Sequence, residues 1–273
     1  MSLAFAGAAN HAPAITARRE AASGAQQLAF FRAYAELRRR LEAARLDALV
    51  LVSAEHFTNF FLHNMPAFCI GLAERYRGPV EDESFLKIPK AWVPGAPALA
   101  RALAARMQAE VDLAHSEELL FDHGLMVPLH LLAPQMRLPV IPIIQNCLAA
   151  PRPPLERCYR LGQVLAAAIA ERPERIGVLA AGGLSHWPAA PRSGEVNEPW
   201  DRAFLDAFVQ GDRAALTRYT EDEILRDAGP GGHEVRAWVT LAGATEGRAR
   251  ETLCFTPIPA YAVSGAVVSV TAA

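Results

Sequence analysis

Four histidines of the sequence lie in short loops, and one glutamate opens a late helix. They are His11, His56, His123, His186 and Glu234. Three of the loops directly follow an apolar, strand-like run. Two imidazoles and one carboxylate on one face of a metal ion leave positions open for a substrate and oxygen, as in non-haem Fe(II) oxygenases. These residue types therefore indicate a metal site, on the condition that the fold brings them together.

The elements that must position these residues alternate between strand and helix. Short apolar runs predict buried strands at 3–9, 47–52, 140–145 and 175–181. Apolar residues three and four positions apart predict helices at about 30–44, 97–110 and 154–171. This alternation is typical of an α/β domain with a largely parallel or mixed central sheet.

Ligands of such sheets bind beyond the carboxyl ends of the strands. His11, His56 and His186 each follow a predicted strand at that end, so we expect them at one edge of the sheet. Residues 199–244 are predicted to be mostly helical, with late strands at 252–256 and 263–270. Residues 78–97, rich in proline and charge, form the longest irregular stretch, and such a loop in a compact domain is often functional.

Composition excludes several classes of protein. The chain has 273 residues, of which 52% are hydrophobic, enough for one large domain with a sizeable core. A net charge of −2 does not favour binding to nucleic acid or to an acidic membrane surface. The four cysteines are widely spaced without a C-x-x-C pair, which argues against a cysteine zinc site or a disulfide framework. No apolar run is long enough for a membrane span, so we expect a cytoplasmic protein.

Each candidate has a purely structural alternative. A lone histidine after a strand is more often a loop residue than a ligand, but several at one sheet edge favour a site. The aromatic residues Phe57, Phe60 and Phe61 beside His56 could line a pocket for a flat substrate or form a core cluster. Glu234 shares a helix face with Trp238 and Leu241, which points it inward; its alternative is a helix-end charge.

Two of the histidines need not bind a metal. His123 and His186 are suited to taking and returning a proton near pH 7. The Gly182–Gly183 pair before His186 would let the backbone approach a bound ligand closely. His233 could lie behind the ligands, and His63, His115 and His130 are expected to be structural or surface residues.

These residues, in this order, resemble the LigB-type superfamily of extradiol ring-cleaving dioxygenases. Six segments carry the resemblance across nearly the whole chain: Asn10–Pro13; Glu55–His56 with Asn59–Phe61; Met65–Gly71; Asp122–Gly124 with Val127–Leu129; Gly182–His186; and Glu234 with Trp238 and Ala242–Ala244. Each segment alone is weakly specific, whereas six in order are a strong signal.

The resemblance implies a three-layer α/β/α sandwich and one catalytic domain over residues 1–273. It implies that His11, His56 and Glu234 hold Fe(II) and that His123 and His186 act as acid–base and oxygen-handling residues. The expected activity is oxidative cleavage of a catechol-type ring with O2, both oxygen atoms being incorporated. The chain departs from the family pattern at Asn10, Glu55 and Trp187, where serine, aspartate and glutamine are usual, which puts substrate identity in doubt more than reaction type.

Two other functions fit the same residues. Two histidines and a carboxylate also suit zinc, so a zinc-dependent hydrolase is an alternative. A metal-binding subunit of a dioxygenase complex is the other, although the intact set of five residues argues against it. The expected partners are a small aromatic diol and O2, with a homo-oligomer or a small separate lid subunit.

Overall fold

A computed structural model of the chain describes residues 3–188 and 190–271. Its strands are β1 (Leu3–Ala9), β2 (Ala48–Ala54), β3 (Phe68–Gly71), β4 (Arg75–Gly78), β5 (Ala91–Pro94), β6 (Ala114–Ser116), β7 (Val140–Gln145), β8 (Ile176–Ala181), β9 (Arg250–Ile258) and β10 (Val263–Val270). Its α-helices are α1 (Ala14–Ala17), α2 (Gly24–Ala44), α3 (Glu83–Leu86), α4 (Pro97–Met107), α5 (His123–Leu132), α6 (Leu155–Ala170), α7 (Glu198–Gln210), α8 (Arg213–Thr217), α9 (Glu221–Asp227) and α10 (Val235–Ala244). A 3-10 turn, Gly231–Glu234, leads directly into α10.

An eight-stranded mixed sheet forms the centre, in the order β6-β3-β7-β2-β8-β1-β10-β9. The four middle strands β7, β2, β8 and β1 run parallel to one another. Antiparallel partners border them, with β10 beside β1 and β3 beside β7. The carboxyl ends of β1, β2 and β8 therefore meet at one edge of the sheet.

Helices cover both faces of the sheet, because the middle strands are apolar on both sides. Along β2, Val50 and Val52 face the core cluster that contains α4, α6, α7 and α10. The alternate residues Leu49 and Leu51 face a second cluster that contains α2 and α5. Successive side chains of a strand point to opposite faces, so buried strands of this kind need cover on both. The predicted α/β/α sandwich around a mixed sheet is confirmed.

Four elements, α3, β5, β3 and α5, differ from the sequence-based expectation. The stretch 78–97, expected to be irregular, holds helix α3 and strand β5, which pairs antiparallel with β4. Strand β3 and helix α5 were not predicted; α5 contains Pro128, and its first residue is one of the candidate histidines. Proline usually ends a helical pattern, and this hides α5 in the sequence. Within the described ranges, no helix combines the length and apolarity needed to cross a bilayer.

Candidate metal centre

The five candidate residues come together at the carboxyl edge of the sheet. His11 follows β1, His56 follows β2 and His186 lies in the loop after β8, as the strand pattern predicted. Glu234 ends the 3-10 turn before α10, and His123 begins α5. Trp238, one turn beyond Glu234, is fully buried and donates its indole N–H to the carbonyl of Gly182 at 3.1 Å. This bond ties the helix of Glu234 to the loop of His186.

Glu234 lies at the middle of the site. Its Oε2 is 2.9 Å from Nε2 of His11, and its Oε1 is 3.4 Å from Nε2 of His56 and 3.4 Å from Nε2 of His186. The backbone N–H of Gly183 donates to Oε2 at 2.6 Å. Three imidazoles thus direct the same ring nitrogen toward one buried carboxylate.

Outer hydrogen bonds fix the rings of His11 and His56. Nδ1 of His56 contacts Oδ2 of Asp122 at 2.9 Å. Nδ1 of His11 is 3.3 Å from Oγ of Ser53, whose hydroxyl donates to the carbonyl of Gly124 and so accepts from the ring. Metal-binding histidines usually donate their second N–H to such a partner, which leaves Nε2 as the ligand atom.

The donor atoms fit a metal ion. Nitrogens of His11, His56 and His123 all lie within 4.8 Å of one another. Nε2 of His11 is buried and makes no hydrogen bond in the described part of the chain, although Oε2 of Glu234 lies 2.9 Å away. A buried polar atom left in this way costs free energy, which a bound cation would recover. Imidazole and carboxylate donors suit iron, zinc and other first-row metals.

Burial and charge set the protonation of these groups. Burial lowers the pKa of His11, and Glu234 offsets this only in part. Burial would raise the pKa of Glu234, but His11 and His186 outweigh it and hold the pKa well below its usual value. Burial would lower the pKa of His56, yet Asp122 and Glu234 raise it well above the ordinary value. The site thus holds an ionised carboxylate among imidazoles that differ in proton affinity.

His186 is held differently from His11 and His56. Its Nδ1 donates to the carbonyl of Leu184 at 2.8 Å, so Nε2 is the nitrogen free to exchange a proton. A Cβ at Gly183 would lie 2.4 Å from the ring, and one at Gly231 would lie 2.2 Å from Nε2. Whether or not a ligand approaches the Gly182–Gly183 backbone, Gly183 and Gly231 make room for the imidazole itself.

A buried carboxylate supports the loop of His186 from behind. Asp201 accepts hydrogen bonds from the N–H of Ser185 at 2.7 Å, from its hydroxyl at 2.9 Å and from the hydroxyl of Ser264 at 2.5 Å. Burial raises the pKa of Asp201 from 3.8 to about 6, even though these bonds act in the opposite direction.

This shift makes stability depend on pH in a predictable way. Because the folded-state pKa is raised, the contribution of Asp201 is fully present below about pH 4 and is lost as pH rises through 6. A pKa raised by about two units means that the buried, ionised carboxylate destabilises the folded state by about 3 kcal/mol at pH 7. We expect Asp201→Asn, which can keep the same partners, to gain up to that amount over the wild type at pH 7 and nothing at pH 4. Urea unfolding of both proteins across this range measures the difference, and a gain independent of pH would contradict it.

All five candidates line one cavity of about 540 Å³. Phe57, Phe85 and Leu148 contribute apolar walls, and Arg18 is the one arginine or lysine among the lining residues described. Of the aromatic residues beside His56, Phe57 lines the cavity, whereas Phe60 packs against the core and Phe61 is exposed. The cavity is therefore largely apolar, and its polar lining includes the five candidates, Glu55, Ser193 and this one cation.

The remaining histidines lie outside the cavity lining. His63 and His115 are exposed and His130 is half-buried, in line with their expected roles. His233 is buried and its Nδ1 contacts Arg236 at 3.0 Å. The site residues that sequence reasoning missed are Asp122, Ser53 and Glu81. Asp122 had a local signal, since it caps helix α5 through the N–H of Gly124.

The three departures from the family pattern, Asn10, Glu55 and Trp187, make structural contacts around the site. Asn10 joins three strands: its amide donates to the carbonyl of Gly182 after β8 and its Oδ1 accepts from the N–H of Ala266 in β10. Glu55 accepts from the backbone N–H groups of residues 58–60 and so shapes the loop beyond His56. Trp187 is buried beneath the guanidinium of Arg192.

An α/β sandwich with imidazoles and a carboxylate converging at the edge of its mixed sheet is an arrangement typical of a metal-dependent enzyme. The sequence matches the family described as the catalytic LigB subunit of aromatic ring-opening dioxygenase over residues 6–267. The chain belongs to this LigB family. The expectation of an extradiol dioxygenase that opens a catechol-type ring with O2 is confirmed, as is the use of a metal.

Individual relatives agree with the family. A 2,3-dihydroxyphenylpropionate/2,3-dihydroxicinnamic acid 1,2-dioxygenase of Cupriavidus necator is 31% identical over 256 residues, which cover 78% of this chain and 80% of that protein. The enzyme of the same name from Paraburkholderia xenovorans LB400 is 30% identical and covers 84% and 86%. The crystal structure of the uncharacterized protein JW3007 from Escherichia coli K12 superimposes with a TM-score of 0.61, at 20% identity, over 88% of this chain and 92% of that one. This last similarity concerns the fold.

Proposed function

We propose that His11, His56 and Glu234 hold Fe(II) and that His123 and His186 move protons for ring opening. The observation that carries the proposal is the convergence of three Nε2 atoms on the Glu234 carboxylate at the floor of an apolar cavity. When bound, Fe(II) supplies a template for the diol and the redox chemistry with O2.

Residues of the chain itself provide the surface for the aromatic ring and the groups that transfer protons. Phe57 and Phe85 offer flat apolar surface to an aromatic ring. Nε2 of His186, whose other nitrogen is held by Leu184, is placed to accept a hydroxyl proton from the diol. His123, beside His56, is placed to return a proton during oxygen insertion.

The choice of Glu234 as third ligand, with His123 free of the metal, rests on contacts and charge. Nitrogens of His11, His56 and His123 lie within 4.8 Å of one another, but Nδ1 of His123 is already engaged by Glu81 at 2.6 Å. Glu234, in contrast, has one oxygen near each of the other two ligands and brings a negative charge to a dication.

The substrate is proposed to be a catechol with an anionic side chain. The curated relatives are named for 2,3-dihydroxyphenylpropionate, a catechol that bears a carboxylate on a short chain. Arg18 is exposed, lines the cavity and makes no side-chain ion pair with any described residue. A guanidinium fork binds a carboxylate in two-point fashion, so Arg18 is a matching counter-ion.

The test is anaerobic reconstitution with Fe(II) or Zn(II), followed by a panel of catechols in the presence of O2. Yellow ring-fission product with Fe(II) and not with Zn(II) is expected, with 2,3-dihydroxyphenylpropionate turned over better than unsubstituted catechol. Absence of product from protocatechuate, gallate, 2,3-dihydroxyphenylpropionate and simple catechols alike would favour the hydrolase or the metal-binding subunit.

The same panel tests Arg18. Arg18→Gln is expected to raise KM for the carboxylated catechol about tenfold or more, since a charge-assisted pair contributes roughly 1.5–3 kcal/mol. KM for unsubstituted catechol should stay unchanged, which serves as the internal control. Equal effects on both substrates would show that Arg18 does not recognise the side chain.

Assembly and location are also proposals. All four cysteines are free and buried in the structure, which agrees with a reducing cytoplasm. A homo-oligomer, or a small subunit that covers the cavity, is proposed from the family resemblance, and native mass determination distinguishes these forms.

A further inference from the structure

Residues 79–90, which we name the strap, place Phe85 in the lining of the cavity. The N–H of Val80 donates to the carbonyl of Phe121 at 2.9 Å, and the N–H of Phe121 donates to the carbonyl of Arg77 at 2.9 Å. Leu86 and Ile88 are fully buried and anchor the strap in the core. This segment, expected from the sequence to be an irregular loop, is therefore fixed in register beside His123.

The strap is also braced from within. Nζ of Lys90 donates to the carbonyls of Pro79 at 2.6 Å, Val80 at 3.2 Å and Glu81 at 2.6 Å. Three bonds from one ammonium to consecutive carbonyls curl the chain around Lys90. The curl sets the direction of the Glu81 side chain.

Among the described residues, the carboxylate of Glu81 bonds to a single residue, His123. Its Oε1 lies 2.6 Å from Nδ1 of His123 and accepts the backbone N–H of His123 at 2.9 Å. Its Oε2 is buried and has no partner within the described ranges. An ionised carboxylate only accepts hydrogen bonds, so a contact this short requires a proton on Nδ1. Nε2 of His123 is left as the nitrogen available to the cavity.

We propose that Glu81 is a positioning residue that fixes the ring orientation and tautomer of His123, so that Nε2 is the nitrogen that first takes up and then returns a proton at the substrate. The inference rests on the proposed function in that His123 is taken there as the proton-returning residue. Glu81 does not touch the substrate or the metal. It acts through His123, as carboxylates that orient catalytic imidazoles do.

The experiment uses the whole chain and two readouts. The first is the tautomer of His123 in metal-free protein, from long-range ¹⁵N–¹H correlations recorded well above the ordinary imidazole pKa. The second is kcat and KM of the Fe(II)-loaded enzyme at matched iron content. The variants are Glu81→Ala, which removes the acceptor, Glu81→Gln, whose amide oxygen keeps it, and Glu83→Ala, which alters the strap away from His123.

Wild type, Glu81→Gln and Glu83→Ala are expected to carry the proton of His123 on Nδ1, and Glu81→Ala to carry it on Nε2. Glu81→Ala should lower kcat at least about tenfold, within the 10²–10⁴-fold that a general acid or base contributes, with little change in KM. Glu81→Gln should restore most of this loss.

A proton on Nε2 in the wild type would overturn the proposal whether or not any variant folds. So would unchanged kcat in Glu81→Ala, or loss of iron from it, which would make His123 a ligand. If the wild type shows the Nδ1 tautomer but opens no ring, the proposed function fails while the positioning role stands.

Discussion

Replacing Glu234 with alanine is expected to abolish metal retention and ring cleavage together. Among the described residues, the substitution removes the one carboxylate that approaches the Nε2 atoms of His11 and His56, and it leaves two imidazoles to hold a dication. Loss of an outer partner of a metal ligand typically costs 10–100-fold in affinity, and loss of the ligand itself should cost more. Iron content after gel filtration, determined by elemental analysis, measures the effect.

A matched control separates ligand loss from damage to the fold. Glu55→Ala removes another buried carboxylate near the cavity, one that accepts only backbone N–H groups of the following loop. It should retain iron, although the loop loses its bonds. If Glu234→Ala kept iron at the wild-type level while His123→Ala lost it, the third ligand would be His123.

Replacing His186 with alanine should leave iron bound and remove turnover. Nε2 of His186, which lies 3.4 Å from Oε1 of Glu234, is the nitrogen that can exchange a proton. Loss of the ring therefore removes acid–base catalysis. Such catalysis contributes about 10²–10⁴-fold, and we expect kcat to fall within that range with KM for the catechol changed only a few-fold. Steady-state oxygen consumption at matched iron content measures both constants.

The exposed His115 provides the control for this variant. His115→Ala should behave as the wild type in iron content and kcat. Normal turnover by His186→Ala would remove His186 from the mechanism, and parallel loss of iron would make it a ligand.

The strand ends of the site were predictable from the sequence because one geometric rule applies to them. His11, His56 and His186 each follow an apolar run, and parallel strands bring their carboxyl ends to one edge regardless of how far apart they are in sequence. Glu234 could be added because Trp238 and Leu241, on its own helix face, had to point inward, and both are fully buried. The family resemblance then assigned different roles to these residues.

The supporting residues could not be predicted because no periodic pattern marks them. Glu81 reaches His123 because the strap, curled internally by Lys90, bonds to Phe121 about forty positions further along the chain. Asp201 meets Ser185 and Ser264 from a helix whose other buried residues are apolar. A glutamate or aspartate in such positions has the same sequence signature as a surface charge.

The two glycines around His186 limit how this cavity could be redesigned. Any side chain at Gly183 or Gly231 would occupy the volume of the imidazole, so a substitution scan would find both positions as intolerant as the histidine, for reasons of space and not of chemistry. The position of Phe85 is different, since its side chain is 56% exposed and bears no catalytic contact. Engineering toward larger aromatic diols should therefore begin at Phe85.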